Sequence, residues 1–497
     1  MRIGMLTDYV NVDFANGPAL ATQTFKRNME HRGHDVTIIG PRPAPWQRPA
    51  PEGSILFDSV AFRHYRGVRV AFPSPMSVLT DRPDIDVIHA HTNSLSMHWA
   101  SLMREQHGIP AVHTNTIYLP GFVHHAIPEN LLTYKPLVPF WDFMTGYTER
   151  SFGSSFNDCD GLIVQCQGLV DYWRNIGLDV PLHVIQRPID VRNFNRELGE
   201  DPFKPQFDVG ARLLCICRHA GEKSIDQLLN VFAHRILPAR SDASLTLVGD
   251  GPVHDELKAQ VRRLGITHRV HFVGERPQRE LPVWYGYADA FVYMSMTETF
   301  GQVVSESLWM GTPVVGLDDG MGVAHQVKHE VNGLLVSPEG PDVDANFGAA
   351  VLRLLGDDAM RRAFGDAAAV RQRQTSAPEV VYRQYEEAYA SAAAHLAANP
   401  PKRLGHRDAK MALRLTRDHI WPWIWKHVVF AGTGAVPSNY DPKPVVPFDA
   451  APENPADELY AHQAVPEATP PRRARRQVVQ KVSKPTSSAR RQRGAPQ

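Results

Sequence analysis

Short runs of Val, Ile and Leu alternate with longer stretches of helical periodicity from the first residue onward. Arg2 to Asp8 is an apolar run ending in a turn at Asn16-Gly17-Pro18, and a helix then runs to about Arg32, stopped by Gly33. Further strands are predicted at Val36 to Gly40, Val68 to Phe72, Val87 to His91, Ile109 to His113, Leu162 to Cys166 and His183 to Gln186. Continuous apolar runs separated by helices imply strands buried on both faces, hence a parallel sheet with right-handed crossovers. Pro41 to Pro51 is a loop, because its five prolines defeat helix and central strand alike.

The pattern restarts after a polar join near Arg196 to Asp208. Its strands are Leu213 to Arg218, Leu245 to Gly249, Val270 to Gly274, Ala290 to Ser295, Pro313 to Leu317 and Leu334 to Val336. Helices fall between them at Ser224 to Ile236, His254 to Leu264 and Gln302 to Met310, and a long helical block runs from Val343 to Ala398. The α/β pattern thus predicts two doubly wound, Rossmann-like domains, 1–200 and 201–398, facing each other across an interdomain cleft that holds the site. Past Pro400 the character changes. Arg403, Arg407, Lys410, Arg414 and Arg417 fall on one helical stripe beside Leu404, Met411 and Leu415, and Trp421, Trp423 and Trp425 follow. Residues 399–430 therefore read as a basic, Trp-rich amphipathic helix, and 431–497 as a disordered tail.

Charge changes this picture only at the end of the chain. The 53 Lys/Arg balance the 53 Asp/Glu, but the segment from Arg472 to Gln497 carries nine cations and no acid, leaving the body net acidic. A body of that sign does not suit a specific nucleic-acid binder. The four cysteines (Cys159, Cys166, Cys215 and Cys217) form no CxxC pair, which argues against a zinc or redox site and fits a reducing, cytoplasmic setting. No uninterrupted apolar stretch approaches the ~18 residues of a membrane-spanning helix.

The densest chemistry lies in Glu298-Thr299-Phe300-Gly301-Gln302-Val303-Val304-Ser305-Glu306. Two carboxylates sit eight apart around a turn that opens a helix, whose free N–H groups near Phe300, Gly301 and Gln302 form a seat for phosphate. Carboxylates suit hydroxyls rather than phosphates, and a sugar nucleotide carries hydroxyls on both sides of its diphosphate. Arg218 ends the first strand of the second half, with Lys223 five residues on, so two cations stand where doubly wound sheets bind their ligands. Gly249-Asp250-Gly251-Pro252 is a tight turn on the same edge. Asp84-Ile85-Asp86 reads as a solvated turn rather than a metal box.

Arg218…Glu222-Lys223, Leu247 to Pro252, Val273-Gly274 and Glu298-x7-Glu306-x4-Gly311-x-Pro313-Val314-Val315 together resemble the retaining glycosyltransferases of family four, over residues 1 to about 395. The resemblance implies the GT-B fold and transfer with retention, with a nucleotide-diphosphate sugar as co-substrate and no cofactor or metal. It implies Glu298 on donor-sugar hydroxyls, Glu306 on the ribose, Arg218 and Lys223 on the diphosphate, and Phe300-Gly301 amides near the sugar-phosphate. Met5 to Tyr9, Asn16-Gly17, Ile88 to Thr92 and Val112 to Thr114 are similar to the lipid-directed members, such as diacylglycerol glucosyltransferases and phosphatidylinositol mannosyltransferases. By that likeness Gly17 lies in the loop that approaches the diphosphate, Gly249 borders the donor, and His113 is the active-site histidine.

The chain departs from that pattern at two places. It reads His113-Thr114-Asn115-Thr116 where such relatives often read His-Thr-aromatic-His-Thr, so the second histidine of that pattern is missing and its role is open to His91 or His124. It also carries His325 where they usually place Glu. The expected activity is hexosyl transfer to a membrane glycerolipid, with the basic Trp-rich segment holding the enzyme peripherally on the anionic inner face of the cell membrane. A soluble acceptor or growing polysaccharide, or GT-B-type sugar-nucleotide epimerisation, would use the same scaffold.

Overall fold

The first apolar run becomes β1 (Arg2–Leu6), and the chain continues through α1 (Gly17–His31), β2 (Asp35–Pro41), β3 (Ile55–Ala61), β4 (Arg69–Phe72), β5 (Val87–Ala90) and α2 (Met97–His107). β6 (Ala111–Thr114), α3 (Val138–Asn157), β7 (Gly161–Val164), α4 (Gln167–Ile176) and β8 (Leu182–Val184) complete the first half. The structure is a computed structural model that describes residues 1–10, 17–43, 49–61, 69–73, 82–92, 97–115, 118, 136, 138–195, 198–204 and 210–401. The basic Trp-rich segment, the tail, His124 and the loop around Asn16 lie outside the described residues.

The eight strands of the first sheet run in the order β4-β3-β2-β1-β5-β6-β7-β8. β5, β6 and β7 are buried along their whole length, as continuous apolar runs require. The sequence pattern gave no strand at β3, and β4 pairs antiparallel to it, so the sheet ends in a hairpin rather than a parallel strand. β3 is Ile-Leu-Phe-Asp-Ser-Val-Ala; its polar centre breaks the apolar run that marks the interior strands.

The second half repeats the plan with β9 (Arg212–Ile216), α5 (Ile225–Val231), β10 (Ser244–Val248), α6 (His254–Arg263), β11 (Val270–Gly274), α7 (Leu281–Tyr287) and β12 (Ala290–Tyr293). It continues through α8 (Gln302–Trp309), β13 (Val314–Leu317), α9 (Gly322–Gln326) and β14 (Gly333–Val336). Its six strands are ordered β11-β10-β9-β12-β13-β14, all parallel. The helix predicted from Ser224 to Ile236 ends in a π turn over Phe232–Ile236.

The closing helical block is three helices, α10 (Val343–Gly356), α11 (Asp358–Ser376) and α12 (Pro378–Ala398). Asp357 caps α11, its carboxylate accepting from the Met360 N–H at 2.9 Å, and Pro378 starts α12, where its missing N–H costs nothing. α12 crosses back and buries Val381, Tyr382, Tyr385, Ala388 and Tyr389 in the core of the first half, against Ile3, Phe25, Val36 and Val112. The two halves therefore exchange chain twice, at 185–200 outward and at Pro378 on the return.

Candidate active site

Both sheets change winding direction between two neighbouring strands, and open α/β sheets bind ligands at the carboxyl ends of those strands. In the second half the pair is β9 and β12, in the first β1 and β5. The turn after β9 carries Arg218 and Lys223, and the turn after β12 carries Glu298. Lys223 Nζ lies 2.5 Å from Glu298 Oε1, an ion pair between side chains only 17% and 15% exposed. The same oxygen accepts from the Tyr293 hydroxyl at 2.6 Å and the Ser295 hydroxyl at 3.3 Å. Burial alone would raise the pKa of Glu298; Lys223 first, then the two hydroxyls, outweigh it and hold the carboxylate ionised below its usual range.

Arg218 stands further out, 62% exposed, with its guanidinium 2.6 Å from Glu222. Gly301 caps α8 with φ +76°, a left-handed backbone that a side chain would strain. Phe300 beside it is buried, and Gln302 begins the helix. Inside α8, Glu306 is 3% exposed and accepts from Gln278 Nε2 at 3.2 Å and from the Tyr285 hydroxyl at 3.0 Å. Burial pushes its pKa up to about 7, against the lowering pull of Gln278, Tyr285 and Gln302. Gly249 directly follows β10, its N–H donating to the Gly274 carbonyl at 2.9 Å.

In the first half, Gly17 opens α1 after β1. His91, just past β5, is 8% exposed; burial and the nearby Arg187 lower its pKa to about 3, so its imidazole is neutral. His113 is placed differently from the expectation that it lines the cleft. It is fully buried in β6, with its ring edge-on to Phe156 of α3 at 5.7 Å. Alternation in β6 puts Ala111 and His113 towards the core under α3, and Val112 towards α12. β6 is also one strand removed from the β1/β5 switch point, where His91 stands. His89 is pinned instead between the Tyr389 hydroxyl at 2.9 Å and the Thr114 hydroxyl at 2.6 Å.

The two halves meet near this edge. The Gln167 N–H at the start of α4 donates to His325 Nδ1 at 3.4 Å, so the histidine standing in the usual Glu position serves as an acceptor; burial first, then Lys328 and Arg371, keep it neutral with a pKa of about 4. Asp319 caps α9, accepting from Met321, Val323 and Ala324. Tyr285, Tyr293, Gln278 and Arg187 were not singled out by the sequence. Arg187 had a usable signal, a cation just past a strand end, the same reasoning that selects Arg218.

A model described as Glycosyltransferase Family 4 matches residues 15–193, and one described as Glycosyl transferases group 1 matches 200–371. The chain is 30% identical over 325 residues to the alpha-monoglucosyldiacylglycerol synthase of Streptococcus pneumoniae, covering 63% of this chain and 70% of that one. It is 34% identical over 367 residues to a glycosyltransferase of Methanocaldococcus jannaschii, covering 69% and 86%. In fold it is similar to an Anabaena protein crystallised in complex with UDP, with a TM-score of 0.60 at 17% identity over 79% of this chain and all of that one. Two switch-point sheets, the second with paired cations and carboxylates at its strand ends, together with family models that match both halves and these relatives, place the chain in glycosyltransferase family 4, with the GT-B fold.

Proposed function

We propose that this glycosyltransferase moves a hexose from a nucleotide-diphosphate sugar to the hydroxyl of a membrane glycerolipid, with retention and without a metal ion. The observation that carries the donor half is the Lys223–Glu298 contact at the β9/β12 switch point. Lys223, Arg218 and the amide-bearing start of α8 offer positive charge to a leaving diphosphate, while Glu298 and Glu306 offer acceptors to sugar and ribose hydroxyls. Positive charge held in place before the bond breaks stabilises the leaving group without reorganisation, which is why no metal is required in this reading. Glu306, protonated or ionised near neutral pH, can donate to or accept from a hydroxyl. His91, neutral and at the first half's switch point, takes the sugar-orienting role for which His113 was the sequence candidate.

The lipid acceptor is supported by the named activity of the Streptococcus relative and by α3. That helix turns Phe140, Phe143 and Tyr147 outward at 49%, 62% and 58% exposure, an apolar aromatic face of the kind that lies in a headgroup layer. Among the described residues no helix is long and apolar enough to cross a membrane, so attachment in this reading is peripheral.

The test is a thermal-shift screen of UDP- and GDP-hexoses on the full chain, followed by transfer to diacylglycerol in vesicles, with the product's anomeric configuration read by NMR. One donor that stabilises the protein and yields an α-linked glycolipid from an α-linked donor is expected. Inverted product, transfer only to soluble acceptors, or epimerised sugar with no acceptor present would each overturn the corresponding part. The triple variant Phe140→Ser/Phe143→Ser/Tyr147→Ser should cosediment less with anionic vesicles while keeping its melting temperature; equal cosedimentation removes the role of α3.

A further inference from the structure

The cations of the cleft are not equally occupied. Arg218 is paired with Glu222 and Lys223 with Glu298, each within 2.6 Å of a carboxylate. Arg187 has no such partner: among the described residues its guanidinium makes neither a hydrogen bond nor an ion pair. Its place is fixed by its neighbours. Gln186 Oε1 accepts from the Ser376 hydroxyl at 2.8 Å, and the Ile189 N–H donates to the Ser376 carbonyl at 2.9 Å, so the short segment around Arg187 is clamped to the end of α11. From there its charge is felt by His91 at the first half's switch point, by Tyr385 of α12 and, across the cleft, by Glu298.

Several features make this unusual for a structural arginine. The side chain is half-buried and enclosed enough that burial lowers its pKa, with Tyr385 and Glu298 opposing, yet a guanidinium stays charged under all working conditions. A cation enclosed by protein without a hydrogen-bonded counter-ion is costly, and such groups are retained where an anion is delivered to them. Its facing surroundings supply little compensation: His91 is neutral, Tyr385 has its pKa raised by burial to about 12, and Glu298 is already held by Lys223. His91 adds a second such group, its buried Nδ1 having no hydrogen-bond partner among the described residues.

We propose that Arg187 is a phosphate-binding residue of the cleft, taking with its planar fork an oxyanion that the substrate brings to the first-half wall beside His91. The proposal extends the glycosyl-transfer reading, since the phosphate is either the donor's diphosphate or a phosphorylated headgroup on the acceptor. A donor diphosphate would thereby be held from both domains, by Lys223 on one side and Arg187 on the other, which couples closure of the cleft to the presence of the leaving group.

The experiment is calorimetric titration of the full chain, as wild type, Arg187→Gln, Arg187→Lys and Lys223→Ala, with inorganic pyrophosphate, UDP, GDP and glycerol 3-phosphate, the last in saturating UDP. Melting temperatures are measured alongside: Arg187→Lys is expected to melt like wild type and Arg187→Gln at or above it, because Arg187 anchors no described contact and Gln removes an uncompensated charge. Loss of about tenfold or more in pyrophosphate and nucleoside-diphosphate affinity on Arg187→Gln, with partial recovery in Arg187→Lys, assigns the donor phosphate. Loss confined to glycerol 3-phosphate assigns the acceptor phosphate. Wild-type affinity for every probe in Arg187→Gln overturns the proposal, and leaves the donor reading intact if UDP or GDP binding still depends on Lys223. Conversely, Arg187-dependent binding of pyrophosphate without any nucleoside-diphosphate binding would sink the donor reading and leave this one standing.

Discussion

Lys223 and Glu298 neutralise each other at 2.5 Å in a nearly enclosed place, and neither can be removed without stranding the other. Among the described residues, Lys223→Ala leaves the carboxylate with the Tyr293 and Ser295 hydroxyls and the charge of Arg187, and in the proposed role it removes a cation from the leaving diphosphate. Transfer should fall by about 100-fold or more, at a leaving-group stabilisation of ~3 kcal/mol. A rate within threefold of wild type in a donor-saturated assay would count against the assigned role. Glu306 makes a different prediction because its pKa is raised to about 7. Between the carboxyl's unfolded pKa and about 7 the native state keeps a proton that the unfolded chain releases, so this group's stability contribution is lost as pH rises through that window, by on the order of 3 kcal/mol at most. Glu306→Gln removes the loss: its melting temperature should exceed wild type's by more at pH 8 than at pH 5, and a constant difference would refute the shifted pKa. Arg218, Lys223 and Glu298 were readable in the sequence because each lies in the turn after a strand, and Glu306 because it stands eight residues past Glu298 in the helix which that turn opens. His113 was not, since β6 is buried on both faces and an all-buried strand gives no hint of which face meets the cleft. The hydroxyls of Tyr285 and Tyr293 were equally hidden: a tyrosine in an apolar run looks the same whether its OH meets a carboxylate or a backbone carbonyl.

Tyr389 shows what an element adds to such residues. It belongs to α12, which is contiguous with the second half in sequence but lies in the core of the first, and its hydroxyl bonds His89 while His89 bonds Thr114. Arg32 and His34 grip Glu386 on the same helix at 2.8 and 2.9 Å, and His395 meets Asp160 at 3.1 Å. Tyr389→Phe strands a fully buried ring nitrogen of His89 and should cost about 1–3 kcal/mol, seen as a lower denaturant midpoint with unchanged slope. A neutral result would mean that His89 finds another partner. Periodicity revealed a helical block from Val343 to Ala398, and the break at Pro378 is visible as a proline, but not where the last helix goes. Its tyrosine-rich face fits any apolar surface, and only the packed first half selects it. The hairpin of β3 and β4 was half legible: the edge strand β4 shows as an apolar run, whereas Asp58-Ser59 interrupt β3 beside it, so the criterion that finds continuous apolar strands passes over it.

The halves approach closely at Gly168, where an added Cβ would sit 2.2 Å from the Gly320 carbonyl oxygen and 2.8 Å from the Met321 sulfur. Gly168→Ala must push the α4 terminus away from the α9 loop, taking the Gln167–His325 contact with it. The expected outcome is a larger radius of gyration in small-angle scattering and a lower transfer rate at saturating donor. Scattering and rates identical to wild type would show that the loop yields instead. The sequence by itself determined the alternation of strands and helices, the repeat of that pattern in two halves, and the local motifs at strand ends, because hydrophobic periodicity and turn chemistry act over a few residues. The tertiary structure decided which buried histidine stands at the switch point, where α12 docks, and that the charge of Arg187 reaches Glu298 of the other half. Those relations join residues about 85 positions apart or more, and their energies come from side chains that meet only after the sheets have stacked, so no local pattern records them.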